Sequence, residues 1–320
     1  MHELFINAAA QFNNMFSMSD EEVTRTTKAL RARRVANKAI ENQNKKPLDS
    51  PDVLDADDFT FEPFDQKREG DGDSGELLLA ARKTDKTDKY IVKHAFCDCA
   101  ANEYVYYNMA KAIDLTMPEV KLFRLSDPLD DTIFKTEYVA GIKYLNIVDE
   151  HADDITAIRA SNDYDYHGFF GLHKIFLEND LVHIVLADDN TLYRIDCSDA
   201  FGIDDTTLMF AGVEQSADKS DEDKKNQSRL NTLWFRKHWD LYDIYRTMEQ
   251  YRMEFGYKEM GGVINPLKAV RYVRKPYIDK FLETLCYFYP DCVGEYYSGF
   301  FVELKRAMRK IAPYLIEKYT

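Results

Sequence analysis

The stretch KYIVKHAFCDCAANEYVYYNMAKAI, residues 89–113, decides how this chain is read. Its first part alternates as a half-buried strand does, with Tyr90 and Val92 on one face and Ile91, Lys93 and Ala95 on the other. A lysine among apolar neighbours on an inward face needs an anionic partner, because an unpaired buried charge is costly. The second part reads as a helix that Asp98 can cap and that ends before Pro118. Glu103, in the middle of that helix, is the acid that answers Lys93. The alternative is a lysine that snorkels to solvent.

Outward from this stretch the pattern extends in both directions. FTFEPF (59–64) alternates, EGDGDSG (69–75) is a turn, ELLLAAR (76–82) is apolar and KTDKTDK (83–89) is a second polar turn. With KYIVK these make an antiparallel meander of three strands. EVKLFRL and TIFKTEYV follow the helix as two more strands. From Gly141 onward helices are expected to dominate, including one from about Tyr166 to Asn179 with Phe169, Leu172, Ile175 and Phe176 on one face. Two short strands, HIVLA and TLYRID, are joined by the turn Asp188-Asp189-Asn190. The segment 212–229 is polar and reads as a surface loop. Later helices carry Trp234, Trp239, Tyr242, Tyr245 and Tyr251.

Residues 1–57 read as an appendage. Ser19 and Glu22 form a capping box that opens a helix bearing Arg25, Lys28, Arg31, Arg33, Arg34 and Lys38. Two readings stand for this basic helix: a solvated face, or a surface for a partner or for the protein's own acidic face. Asn42 to Asp58, with two prolines and no periodicity, reads as a linker. The organisation expected is therefore 1–57 extension, 58–140 sheet-rich lobe and 141–320 helical lobe.

Composition narrows the function. The chain has 320 residues, is 45% hydrophobic and 31% charged, and carries a formal net charge of −14. That balance is globular, and its sign disfavours general binding to nucleic acid or an anionic membrane surface. A local cation and a metal ion can still admit a nucleotide. Five scattered cysteines, Cys97, Cys99, Cys197, Cys286 and Cys292, are no disulfide framework, which points to reduced thiols in the cytoplasm. No run approaches the ~20 apolar residues of a membrane span, and the N-terminus does not read as a signal peptide.

Two further features bear on chemistry. Gly70, Gly72 and Gly75 form a G-x-G-x-x-G between two strands. That context argues against a dinucleotide fingerprint and leaves a phosphate-covering loop or a plain hairpin turn. Asp196 ends the strand LYRID, where a carboxylate is well placed for Mg²⁺; a turn or cap role is the alternative, as for Asp199. His167 and His173 lie on different faces of their helix, a poor arrangement for one metal site.

Taken in order, KYIVK, ANEYVYYNMAKAIDLTMPEVKLF, TEYVAG (136–141) and YRIDCSDAFG resemble the HipA-like kinases and the related phosphatidylinositol 3-/4-kinase-like fold. The resemblance covers roughly residues 59–205. It implies a bilobal α+β fold in which Lys93 contacts the phosphates of ATP and Glu103 holds Lys93. It also implies that the segment around Glu137 to Val139 meets adenine, and that Asp196 binds the metal. The sequence departs from the family at the catalytic loop, where an aspartate followed five residues later by an asparagine is expected. Those positions fall on Glu178 and His183. Glutamate still serves as a base, and Asp180 is the alternative if the loop is shifted by two residues. Histidine is a poor Mg²⁺ ligand but suits Mn²⁺ better.

Three functions follow. The first is an ATP-dependent phosphotransferase acting on a protein hydroxyl, with nucleotidyl transfer from the same pocket left open. The second is a pseudokinase that binds nucleotide without transfer. The third is a non-catalytic protein whose basic N-terminal helix engages a partner.

Overall fold

The computed structural model describes residues 50–64, 77–93, 97–124, 138–149, 163–178, 181–202, 239–288 and 291–320. The basic N-terminal helix, the GDGDSG turn, Trp234 and the polar segment 212–229 lie outside the described residues. So do Glu137 and Asp180.

Nine strands and six α-helices are described. In chain order they are β1 (Val53–Asp55), β2 (Phe59–Pro63), β3 (Leu77–Arg82), β4 (Lys89–Lys93), α1 (Cys97–Ala112), β5 (Val120–Arg124), β6 (Tyr138–Lys143) and β7 (Ile147–Asp149). Then come α2 (Asp163–Ile175), β8 (His183–Ala187), β9 (Leu192–Ile195), α3 (Leu241–Phe255), α4 (Met260–Ala269), α5 (Lys275–Phe288) and α6 (Asp291–Tyr319). Six strands form one sheet in the order β1-β5-β6-β4-β3-β2, and β7, β8 and β9 form a second. Only the β1–β5 pair is parallel among those described. A mixed α+β chain with a six-stranded sheet, one helix packed on it and a helical remainder is consistent with the bilobal kinase-like fold expected.

The alternation of β4 is what orients the sheet. Tyr90 and Val92 are buried with Phe59, Ala80 and Phe123 in a small cluster on one face. Ile91 pairs directly with Ile142 of β6, which belongs to the large cluster containing α1. The two faces of β4 therefore differ, one meeting the small cluster and the other the side that α1 covers. Gly141 lets β6 lie under the Phe123 ring: a Cβ there would sit 2.2 Å from Phe123 Cε2.

Several expectations need correction. Val53–Asp58 is not linker: β1 adds to the sheet edge, followed by a short 3-10 turn. Its anchors are side chains that periodicity does not reveal, since Asp52 accepts from the buried Tyr104 hydroxyl (3.0 Å) and pairs with Lys121 (3.1 Å). The strand expected at TIFKTEYV is Tyr138–Lys143, with Phe123 opposite Val139 and Leu122 opposite Ala140. β7 also interrupts the region expected to be helical. α1 begins at Cys97, so Asp98 lies in its first turn rather than at its cap. α2 ends at Ile175, earlier than the pattern suggested.

The C-terminus is fastened to α3. Glu249 accepts from the Tyr319 hydroxyl and from Arg252 Nε (3.0 Å), and Lys318 Nζ lies 3.4 Å away. The Tyr319 bond foremost holds the Glu249 carboxyl down at about 2, against an ordinary 4.5. A depressed carboxyl contributes stability above its unfolded value and loses it as pH falls through its folded one. Glu249→Gln is therefore expected to be less stable than wild type above about pH 4.5, with the gap closing toward about pH 2. Urea unfolding across that range checks it, and a gap of constant size would contradict it. Among the described residues no helix is long and apolar enough to cross a membrane.

Candidate functional site

α1 is enclosed on nearly every side: Ala101, Tyr104, Val105, Tyr106 and Met109 are all buried. A helix enclosed all round keeps polar side chains only where each finds a partner. Asn102, Glu103 and Asn108 are buried too. Asn108 Nδ2 donates within the helix to the Tyr104 carbonyl (2.9 Å). Asn102 and Glu103 reach instead to the turn that follows β9. Glu103 Oε1 accepts from the Cys197 amide at 3.1 Å. Asn102 Nδ2 donates to the Ser198 carbonyl at 2.5 Å, and the Tyr297 hydroxyl of α6 donates to Asn102 Oδ1 at 2.7 Å.

Asp196 is thereby held one residue from the Glu103 contact. Its φ of 59° lies in the left-handed region, a strained conformation for a residue with a Cβ, costing about 1–2 kcal/mol. Leu177 (φ 55°) and Phe201 (φ 65°) are left-handed as well. Strain of this kind persists where surrounding structure over-determines the backbone, and it clusters at functional sites. Ser198 Oγ lies 3.4 Å from Asp196 Oδ1.

The β8–β9 hairpin brings His183 opposite Ile195, so His183 and Asp196 border the same end of that sheet. Between them runs Arg194, fully buried on the inward face of β9. Arg194 NH1 donates to the His183 carbonyl (3.0 Å) and to the Ile195 carbonyl. NH2 donates to Glu178 Oε1 and more weakly to the Leu181 carbonyl (3.4 Å). The Glu178 and Arg194 side chains have no solvent exposure. Burial, only partly opposed by Arg194, pushes the Glu178 carboxyl up to about 8.

An aromatic column backs this arrangement. The Tyr106 ring meets Phe176 at 5.1 Å, Phe176 meets Phe201 at 4.9 Å, and Phe201 meets Phe300 at 5.2 Å. The Phe201 amide donates to the Phe176 carbonyl at 2.5 Å, and the Tyr296 hydroxyl donates to the Phe201 carbonyl at 3.2 Å. The turn after β9 is thus gripped by α1, α2 and α6 together.

The residues singled out from sequence divide as follows. Glu103, Asp196 and His183 come together around the β8–β9 hairpin. Glu178 joins them as an enclosed partner of Arg194. Lys93 ends β4, and its side chain lies outside the described residues. Val139 lies in β6, paired with Phe123, and residues 144–146 follow that strand. Gly70, Gly72, Gly75, Glu137 and Asp180 fall outside the described residues. Sequence reasoning missed Arg194, Asn102 and Tyr297. Arg194 carried a signal, since it alternates with Tyr193 onto the same strand face as the apolar Leu192.

Among the described residues no group of three or more His, Cys, Asp or Glu is placed to hold a metal alone. A single carboxylate suits Mg²⁺ presented with phosphates, because that ion completes its octahedron with phosphate oxygens and water.

No protein-family model matches the chain, and no curated protein matches it in sequence. Among solved structures, it is similar to the Helicobacter pylori proinflammatory kinase CtkA, at 14% identity and a TM-score of 0.48 over 81% of this chain and 96% of that one.

Proposed function

We propose that this chain binds ATP with Mg²⁺ between the α1 face of the large sheet and the turn at Asp196, and transfers the γ-phosphoryl group to a protein hydroxyl. The observation that carries this reading is the 3.1 Å bond from the Cys197 amide to Glu103. It joins the helix glutamate that would orient Lys93 to the residue beside the carboxylate that would hold the metal. Asp196 would hold Mg²⁺, which supplies charge neutralisation at the transferred group when bound. The acceptor oxygen attacks γ-phosphorus, the bond to the bridging oxygen of ADP breaks, and the hydroxyl proton passes to a base. Asp180 takes that role more readily than Glu178, whose carboxylate is committed to Arg194.

A second reading is favoured by a specific observation: the enclosed Glu178, together with His183 where an amide ligand is expected. On that reading the chain binds nucleotide and transfers nothing.

Calorimetric titration of ATP with Mg²⁺, and separately with Mn²⁺, tests both. Metal-dependent binding is expected in wild type and should weaken at least ~tenfold in Asp196→Ala. Transfer of labelled phosphate to protein then separates the two readings. Binding without transfer supports the module, and no binding with either metal ends both.

A further inference from the structure

Two cationic runs, far apart in the chain, are brought together on one face of an acidic molecule. KAVRYVRK (268–275) carries Lys268, Arg271, Arg274 and Lys275, and KRAMRK (305–310) carries Lys305, Arg306, Arg309 and Lys310; neither run contains an acid. The first run spans the end of α4, a 3-10 turn at Val270–Tyr272 and the start of α5. The second lies in mid-α6, which packs against that turn. Lys305 Nζ donates to the Val273 carbonyl and so pins the two runs together.

Little of this charge is answered locally. Lys275 pairs with Asp279 (2.7 Å) and Arg306 with Glu303 (3.7 Å). Lys268 and Arg271 bond to Asn265 Oδ1 and the Lys268 carbonyl, at 3.1 Å in each case. Among the described residues, Lys268, Arg271, Arg274, Lys305 and Arg309 have no carboxylate partner. Burial, reinforced by the like charge of Arg309, holds the Lys305 ammonium below its ordinary value. Arg274 and Arg309 are exposed. Tyr272 is 74% exposed, with the Arg271 guanidinium 5.1 Å over its ring.

We propose that this face is a docking surface for an acidic peptide segment of a partner protein. Charge complementarity chooses the class and patch size chooses the source. In a chain of net charge −14, a duplex or an anionic bilayer, charged over its whole extent, would also meet the repulsion of that net charge. Screening over a Debye length of ~8 Å relieves that repulsion only in part. A peptide whose charge is confined to a few residues meets the cations alone, and Tyr272 adds an aromatic contact at the rim. The surface is separate from the nucleotide site, and its failure would leave that reading intact.

Fluorescence anisotropy with the full chain and a labelled peptide of about a dozen glutamates tests the proposal. Binding is expected to weaken steeply with added salt. Kd should rise at least ~tenfold in the triple variant Arg271→Glu, Arg274→Glu, Arg309→Glu and stay unchanged in Arg246→Glu on α3. Circular dichroism confirms that the triple variant is folded, and the salt dependence of wild type tests the surface without any variant. Absence of binding, salt-insensitive binding, or binding that the triple variant retains would each overturn it. Tighter binding to a short DNA duplex or to phosphatidylserine vesicles through the same side chains would overturn the choice of partner.

Discussion

Arg194→Met is expected to destabilise the folded chain by about 4 kcal/mol, the cost of breaking a fully buried charged pair while leaving one member behind. The guanidinium bonds the carbonyls of His183 and Ile195 as well as Glu178, so its loss also releases the hairpin end beside Asp196. The deficit has a pH signature. Burial raises Glu178 in the folded chain, and Arg194 is the neighbour that lowers it. Without Arg194 the folded carboxyl keeps a proton that the unfolded chain releases above its ordinary value. A raised carboxyl is fully compatible with folding at low pH and loses stability as pH rises toward its folded value. The variant's deficit should therefore be larger at about pH 9.5, above the wild-type folded value, than at about pH 6, where both proteins keep the proton. Replacing the pair together, Arg194→Met with Glu178→Leu, should recover most of the loss, since no charge is then buried. Urea unfolding of the three proteins at both pH values measures this. Equal deficits at the two pH values, or a double variant no better than the single, would refute it.

Gly171→Ala is expected to cost about 3 kcal/mol, although alanine favours helix over glycine by ~1 kcal/mol. The reason is the approach of α2 to α4. A Cβ at Gly171 would lie 2.0 Å from the Val263 carbonyl oxygen and 3.2 Å from Leu267 Cδ1. The first of these is backbone, which no rotamer change can move aside. Gly168, one turn earlier, is tight only against side chains, with Leu115 Cδ2 at 2.9 Å. Gly168→Ala should cost less than half as much, because Leu115 can rotate. If Gly171→Ala proves as stable as wild type, helix propensity rather than interhelical distance governs this position.

Both predictions concern residues whose decisive contacts come from other elements of the fold. Gly171 looks like a mild flaw in a helix until α4 is seen against it. Glu178 illustrates the same point for the site. The spacing of five residues to His183 marks it as a candidate base, but β9 places Arg194 against it. Val139, the last residue of TIFKTEYV, pairs with Phe123 of β5, a partner sixteen residues back that the alternation alone does not name.

What the sequence by itself determined is the set of elements that local periodicity encodes. The meander of β2, β3 and β4, helix α1, and the hairpin of β8 and β9 around Asp188-Asp189-Asn190 all follow from alternation, helical spacing and turn chemistry. Those forces act between residues close in the chain, and so they can be read along it. Only the tertiary structure decided that Val53–Asp55 joins the sheet through Asp52 and Tyr104, and that Asn102 and Glu103 close on the turn after Asp196. It alone enclosed Glu178 with Arg194 and gathered the cations of 268–275 and 305–310 onto one face. Each of these depends on burial and charge pairing between segments distant in sequence, for which a single chain carries no local signal.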